Sequence, residues 1–170
     1  MQHPVTTEYA ESKKQILQTL KAVQELGYPA FWFWPNVDAG SDGTSNGIRA
    51  FRELEQPKNM HFFKNMEPED FLKLLKNSKA LVGNSSVGLR ECAYLGVPVV
   101  NIGNRQFRRN RSANVVNVDY IQQEIYDATS QAIARVHSEP DFLYGNGNAG
   151  RKMAAILAET ELSFSKTITY

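Results

Sequence analysis

Apolar residues recur along this chain in two alternating rhythms. Ile16, Leu17, Leu20, Val23 and Leu26 fall three and four apart, which places them on one face of a helix. Thr6 or Thr7 can cap its start and Gly27 ends it. Ala30-Phe31-Trp32-Phe33-Trp34 is short, unbroken and rich in strand formers, so it predicts a strand covered on both faces and finished by Pro35 and Asn36. A polar loop, Asp38 to Gly43, leads to a short helix over about Ser45 to Leu54. Met60 to Phe63 is the next strand, and Pro68 opens a helix through Phe71, Leu72, Leu74 and Leu75. Ala80-Leu81-Val82 is a third strand. Gly83-Asn84-Ser85-Ser86 is turn chemistry, after which a helix runs from about Val87 to Leu95, capped by Ser85 or Ser86 and stopped by Gly96. Val97 to Ile102, with Pro98 near its start, and Val115 to Val118 complete the strands, with a basic loop from Gly103 to Ala113 between them. Helices over Ile121 to about Val136 and Ala149 to Glu159 follow, then a polar tail from Ser163 to Tyr170.

Regular alternation of strand and helix argues an α/β fold, a Rossmann-like parallel sheet with helices on both faces. In such sheets ligands sit beyond the carboxyl ends of the strands. Those ends carry Asn36, the loop after Phe63, Ser85-Ser86, and Gly103-Asn104-Arg105. His3-Pro4 is extended, because the residue before a proline avoids the helical region, and it reads as the turn after a strand. With a strand ahead of it, His3 joins the same cleft.

The stretch Val82 to Glu91 is the centre of this arrangement. A helix start with two hydroxyls and little side-chain bulk offers unpaired N–H groups and the positive end of a helix dipole, a setting that suits a diphosphate. Glu91 lies about 6 Å farther along the axis, at about 1.5 Å per residue. Its carboxylate can accept hydrogen bonds from ribose hydroxyls there. The competing reading is a plain capped helix with a solvated glutamate.

Composition narrows the classes. The chain has 170 residues, 42% hydrophobic and 22% charged, which fits one domain of an ordinary globular protein. Nineteen basic residues against 18 acidic leave a net charge of +1, so nucleic acid is not an expected partner. The cluster Arg105, Arg108, Arg109 and Arg111 is local, a phosphate clamp or a solvated loop. Cys92 is the only cysteine, fits a reducing compartment, and reads as a small core residue inside a helix. His61 and His137 read as structural, and three dispersed histidines make no metal site. No glycine fingerprint for a dinucleotide follows a strand, and no apolar run approaches the ~20 residues of a membrane span. A cytoplasmic protein with no metal or other cofactor is expected.

Four stretches in order resemble one family: His3-Pro4-Val5-Thr6-Thr7-Glu8, Trp34 to Ser41, Gly83 to Glu91, and Gly96 to Gln106. They are similar to the UDP-N-acetylglucosamine 2-epimerases, and most like the hydrolysing branch that makes N-acetylmannosamine for sialic acid and related sugars. The likeness runs from about Gln2 to Leu157. It implies one half of a two-domain, GT-B-like fold: residues 1–170 as the nucleotide-binding, carboxyl-terminal domain, with the amino-terminal catalytic domain absent. By the resemblance, His3 contacts the diphosphate, Asn36 lines the nucleotide pocket, Ser85 and Ser86 hold the phosphates, Glu91 holds the ribose, and Arg105 adds positive charge. The implied ligand is UDP or UDP-N-acetylglucosamine, and the implied partners are the missing domain and a second copy of the full protein. The implied reaction eliminates UDP from the sugar and adds water to the resulting glycal, inverting carbon 2.

The chain departs from the family's wording in places. Val87 stands where a third serine is frequent, Asn104 where threonine is usual, and Phe107-Arg108-Arg109-Asn110 where Gly-Arg-Glu tends to follow. The last change removes a small residue and an acid from that loop. Two other expectations remain beside the epimerase half. One is a non-catalytic nucleotide-sugar sensor using the same pocket. The other is the donor-binding half of a glycosyltransferase.

Overall fold

The computed structural model describes residues 1–161. The predicted tail from Ser163 to Tyr170 lies outside them. Five strands form, β1 (Ala30–Phe33), β2 (Met60–Phe63), β3 (Leu81–Gly83), β4 (Val99–Ile102) and β5 (Val115–Val118), and every pairing is parallel. Helices α1 (Ser12–Glu25), α2 (Ser41–Glu55), α3 (Pro68–Lys76), α4 (Glu91–Leu95), α5 (Gln122–Ala134) and α6 (Ala149–Glu159) are threaded between and after them. The strands do not join into one sheet. β1 pairs with β2, and β3-β4-β5 form a second sheet.

Period-two alternation splits the core into two layers. Val99 packs with Leu75 and Cys92, against α3 and α4, whereas its neighbour Val100 packs with Ala22, Ile125 and Ala132, against α1 and α5. Helices therefore cover both faces. A third cluster wedges α1 and α2 onto the first sheet through Ile16, Leu20, Ile48, Phe51, Trp32 and Met60. Full burial of each such side chain is worth about 1.5–3 kcal/mol.

Several boundaries differ from those the pattern predicts. Thr6–Glu11 forms an irregular 3-10 segment with no side-chain cap, and α1 begins only at Ser12. α2 starts four residues before the predicted Ser45, because Gly40 turns left-handed (φ 89°) and launches a helix through the residues that read as loop. β4 omits Val97 and Pro98. β1 is not covered on both faces, since Phe31 remains 47% exposed where the two sheets part. The helix expected from Val87 to Leu95 is a 3-10 turn, Ser86–Gly88, followed by the short α4. Cys92 is fully buried, and burial together with the Glu91 charge pushes its thiol well above the usual range, so it is an inert core residue. His137 Nε2 donates to the Ser78 carbonyl at 2.9 Å, a structural tie as expected.

Candidate functional site

Three loops converge where β1, β3 and β4 end, and a fourth segment, Met1 to Pro4, threads between them. Asn84 is the knot. It leaves β3 fully buried, its side-chain oxygen accepts the His3 backbone N–H at 2.7 Å, and its amide donates back to the His3 carbonyl at 2.8 Å. This two-way clamp joins residues 81 positions apart. On the far side the Asn84 carbonyl accepts from Gln106 Nε2 at 2.7 Å and, at a long 3.4 Å, from Arg105. Gln106 is almost completely buried. The loop after β4 is thereby strapped to the turn after β3.

His3 is 5% exposed, and its Nδ1 accepts the backbone N–H of Asn36 at 3.0 Å. Burial, then the neighbouring Arg105 charge and the amino terminus, lower its pKa to about 4, against a smaller opposing pull from Asp38. The imidazole is therefore neutral at pH 7. With Nδ1 occupied as an acceptor, the proton sits on Nε2, which becomes a fixed neutral donor. Asn36 contributes through its main chain; its side chain is exposed on the loop after β1. That loop also brings Asp38 to 3.5 Å from the Arg105 guanidinium.

Ser85 caps the 3-10 turn, its Oγ accepting from the Val87 N–H at 3.4 Å. The turn's own bonds use the N–H groups of Val87, Gly88, Leu89 and Arg90, and leave that of Ser86 outside them. Glu91 is the first residue of α4 rather than a turn inside a longer helix. One of its carboxylate oxygens is buried with no hydrogen-bond partner among the described residues. The dipole of a five-residue helix is small, so the attraction for an anion here rests on individual donors: His3 Nε2, the serine hydroxyls, the Ser86 N–H and Arg105. Gly103 (φ 68°) shapes the opposite wall, since a Cβ there would lie 2.3 Å from the Tyr120 ring.

The six residues singled out in the sequence thus lie on the converging loops or at the first turn of α4. Asn84 and Asp38, which hold His3 and Arg105 in place, and Gln106, which ties down Asn84, were legible only as turn and loop residues. Their pairing partners are 21 to 81 positions away. The arginine run divides. Arg105 points into the cluster, Arg111 bonds Asn117 at 2.6 Å and the Gln106 carbonyl at 3.1 Å, and Arg108 lies over the ring of Phe107 on the outside. Among the described residues no group of three or more metal-ligating side chains gathers, and no helix is long and apolar enough to cross a membrane.

Parallel sheets layered by helices, with small-residue turns and a neutral histidine gathered at the strand ends, define a Rossmann-like half of a GT-B-like architecture. Solved structures agree on the fold. UDP-GlcNAc 2-epimerase of Methanocaldococcus jannaschii, in a crystal structure with UDP-GlcNAc and UDP, superposes with a TM-score of 0.63 at 17% identity, over 86% of this chain and 41% of that one. A sequence model described as UDP-N-acetylglucosamine 2-epimerase matches residues 1–158. UDP-N-acetylglucosamine 2-epimerase of Neisseria meningitidis serogroup B is 33% identical over 148 residues, 87% of this chain and 38% of that protein. UDP-N,N'-diacetylbacillosamine 2-epimerase (hydrolyzing) of Legionella pneumophila is 28% identical over 155 residues, 91% of this chain and 40% of that protein. The chain belongs to the UDP-N-acetylglucosamine 2-epimerase family. It spans about two fifths of the length of these curated relatives.

Proposed function

We propose that residues 1–170 are the nucleotide-binding half of a hydrolysing UDP-N-acetylglucosamine 2-epimerase. The full protein would release UDP and N-acetylmannosamine, with the proton-moving carboxylates supplied by a separate amino-terminal domain. The observation that carries the reading is the neutral, clamped His3 facing the same strand-end cleft as Ser85-Ser86, Arg105 and an unpartnered buried oxygen of Glu91. In this reading His3 Nε2–H, the two serine hydroxyls, the Ser86 N–H and Arg105 take the diphosphate oxygens. Asn36 borders the nucleotide, and Glu91 accepts from the ribose hydroxyls. A leaving UDP gains negative charge as the bond from its oxygen to the anomeric carbon breaks. Donors fixed before the reaction stabilise that charge without reorganising. The hydrolysing outcome is supported by the motifs and by the similarity to the hydrolysing UDP-N,N'-diacetylbacillosamine 2-epimerase of Legionella pneumophila.

Titration calorimetry of UDP tests the site. Each hydrogen bond to a charged group is worth about 1.5–3 kcal/mol. Glu91→Ala, and Ser85→Ala with Ser86→Ala, should each weaken UDP binding about tenfold or more. Equal affinity in all three proteins places the nucleotide elsewhere and overturns the site. Turnover of UDP-N-acetylglucosamine by the 170-residue chain alone overturns its assignment as a half.

A further inference from the structure

Two carboxylates stand on the loops of the donor cluster, and they are held differently. Glu8 is engaged at both oxygens: Oε2 accepts from Gln15 Nε2 at 2.8 Å, and Oε1 accepts from Asn104 Nδ2. Both partners are neutral amides, so Glu8 ties the segment after His3 to the loop after β4 and holds no cation. Asp38 has one side-chain hydrogen bond among the described residues. Its Oδ2 accepts from Arg105 Nη2 at 3.5 Å, far longer than the about 2.7–2.9 Å of a close charge-assisted bond. The pair is part-exposed, with 27% of the Arg105 side chain and 40% of the Asp38 side chain open to water.

Arg105 is no better fixed. Its other contact, from Nη1 to the Asn84 carbonyl, is 3.4 Å long. The backbone around both side chains is firm by contrast. The Asp38 N–H donates to the Asn36 carbonyl and the Asp38 carbonyl accepts from the Ser41 N–H, each at 2.9 Å. Gln106, next to Arg105, is strapped to the Asn84 carbonyl at 2.7 Å. Both charged side chains can therefore change partners by rotating about their own bonds, with no movement of the loops that carry them. The Asp38 charge also reaches His3, where it opposes that of Arg105. The carboxylate thus sits among the groups that take the diphosphate oxygens in the nucleotide reading.

Resting on that reading, we propose that Asp38 is a built-in competitor for the ligand's anion: its carboxylate occupies Arg105 in the free protein and is displaced when a nucleoside diphosphate arrives. A carboxylate left beside a bound diphosphate repels it, so the exchange turns Asp38 toward solvent, to which it is already part-open. A long, screened ion pair contributes little, so the exchange favours the ligand. The lost pair and the residual repulsion nonetheless weigh against every ligand that needs Arg105. Asp38 thereby limits how tightly a diphosphate is held and eases the departure of UDP, the product that the proposed reaction must release. A carboxylate whose role was to aim Arg105 at the ligand would act with the opposite sign, since its removal would weaken binding.

Titration calorimetry of UDP at low salt separates the two, on the unmodified chain, Asp38→Asn and Asp38→Glu. Asp38→Asn should bind UDP about three- to tenfold tighter, and Asp38→Ala should do the same if the asparagine variant fails to fold. Asp38→Glu keeps the charge and should stay within about twofold of the unmodified chain. The second readout is the NMR signals of the Arg105 guanidinium. Without ligand they should differ between the unmodified chain and Asp38→Asn; at saturating UDP they should coincide, because residue 38 no longer touches Arg105. Weaker or unchanged UDP binding by Asp38→Asn overturns the inference and leaves the nucleotide reading standing. So does equal tightening by Asp38→Glu, which would make the shape of the loop the cause, and so do Arg105 signals that still depend on residue 38 at saturation. Absence of UDP binding from the unmodified chain and from Asp38→Asn overturns the nucleotide reading and this inference with it.

Discussion

Two polar regions flank the carboxyl ends of the strands, and they differ in kind. The inner one, His3, Asn84 and Gln106, is at most 5% exposed and bound by bonds of 2.7 to 3.0 Å that reach across the chain. The outer one, Arg108, Arg109 and Asn110 with Arg90 and Tyr144 beside them, is open to solvent; Tyr144 donates to the Asn110 carbonyl, and Arg108 rests on Phe107. The outer region carries more charge, yet the inner one has the fixed geometry. A solvated arginine contributes little, because water already screens it and ordering its side chain has an entropic cost. A buried neutral donor is oriented before any ligand arrives.

The largest effect should come from the knot of the inner region. Asn84→Ala strands the His3 N–H and carbonyl in a buried setting, and urea unfolding should show a loss of about 3 kcal/mol, since each orphaned buried group costs about 1–3 kcal/mol. A loss below about 0.5 kcal/mol would mean the two regions are equally loose.

Next in size is the response to pH. His3 and the Met1 amine are both held neutral when folded, with pKa values lowered from 6.5 to about 4 and from 8.0 to about 5. The unfolded chain binds more protons at these two groups, so their contribution to stability rises with pH. It is complete above pH 8 and is lost progressively as pH falls from 8 through 5 for the amine and from 6.5 through 4 for the imidazole. Urea midpoints at pH 8, 6.5 and 5 should fall in that order. His3→Gln should flatten the step between 6.5 and 5; an unflattened step would assign it to other groups.

The smallest effect belongs to the outer region. Arg108→Ala with Arg109→Ala should leave stability within about 0.5 kcal/mol and UDP affinity within about twofold. A tenfold loss of affinity would reverse the comparison and make this loop a phosphate clamp.

Sequence reading put the six candidate residues at turns and strand ends because those signals are local: a proline extends the chain at His3, small residues announce the serine turn, and Asn36, Glu91 and Arg105 follow strand or turn signals within a few positions, while the family resemblance supplied the ligand roles of His3, Asn36 and Arg105. It failed where local signals compete with packing. Ser41-Asp42-Gly43 has loop composition, yet it is helical where α2 packs against α1, with Gly43 beside Ser12. Val87 to Leu95 has helix composition, yet it breaks at Leu89-Arg90, between the 3-10 turn and α4.

The order and type of the elements, the parallel strands, and the gathering of polar turns at the strand ends were determined by the sequence alone, because periodicity and turn chemistry act over a few residues. Tertiary structure alone decided that Asn84 clamps His3, that Asn36 acts through its N–H, that Arg105 and not Arg108 faces the cluster, and that the strands fall into two sheets. Each of these depends on which distant backbone groups meet, and nothing in a window of neighbours encodes a partner 81 positions away.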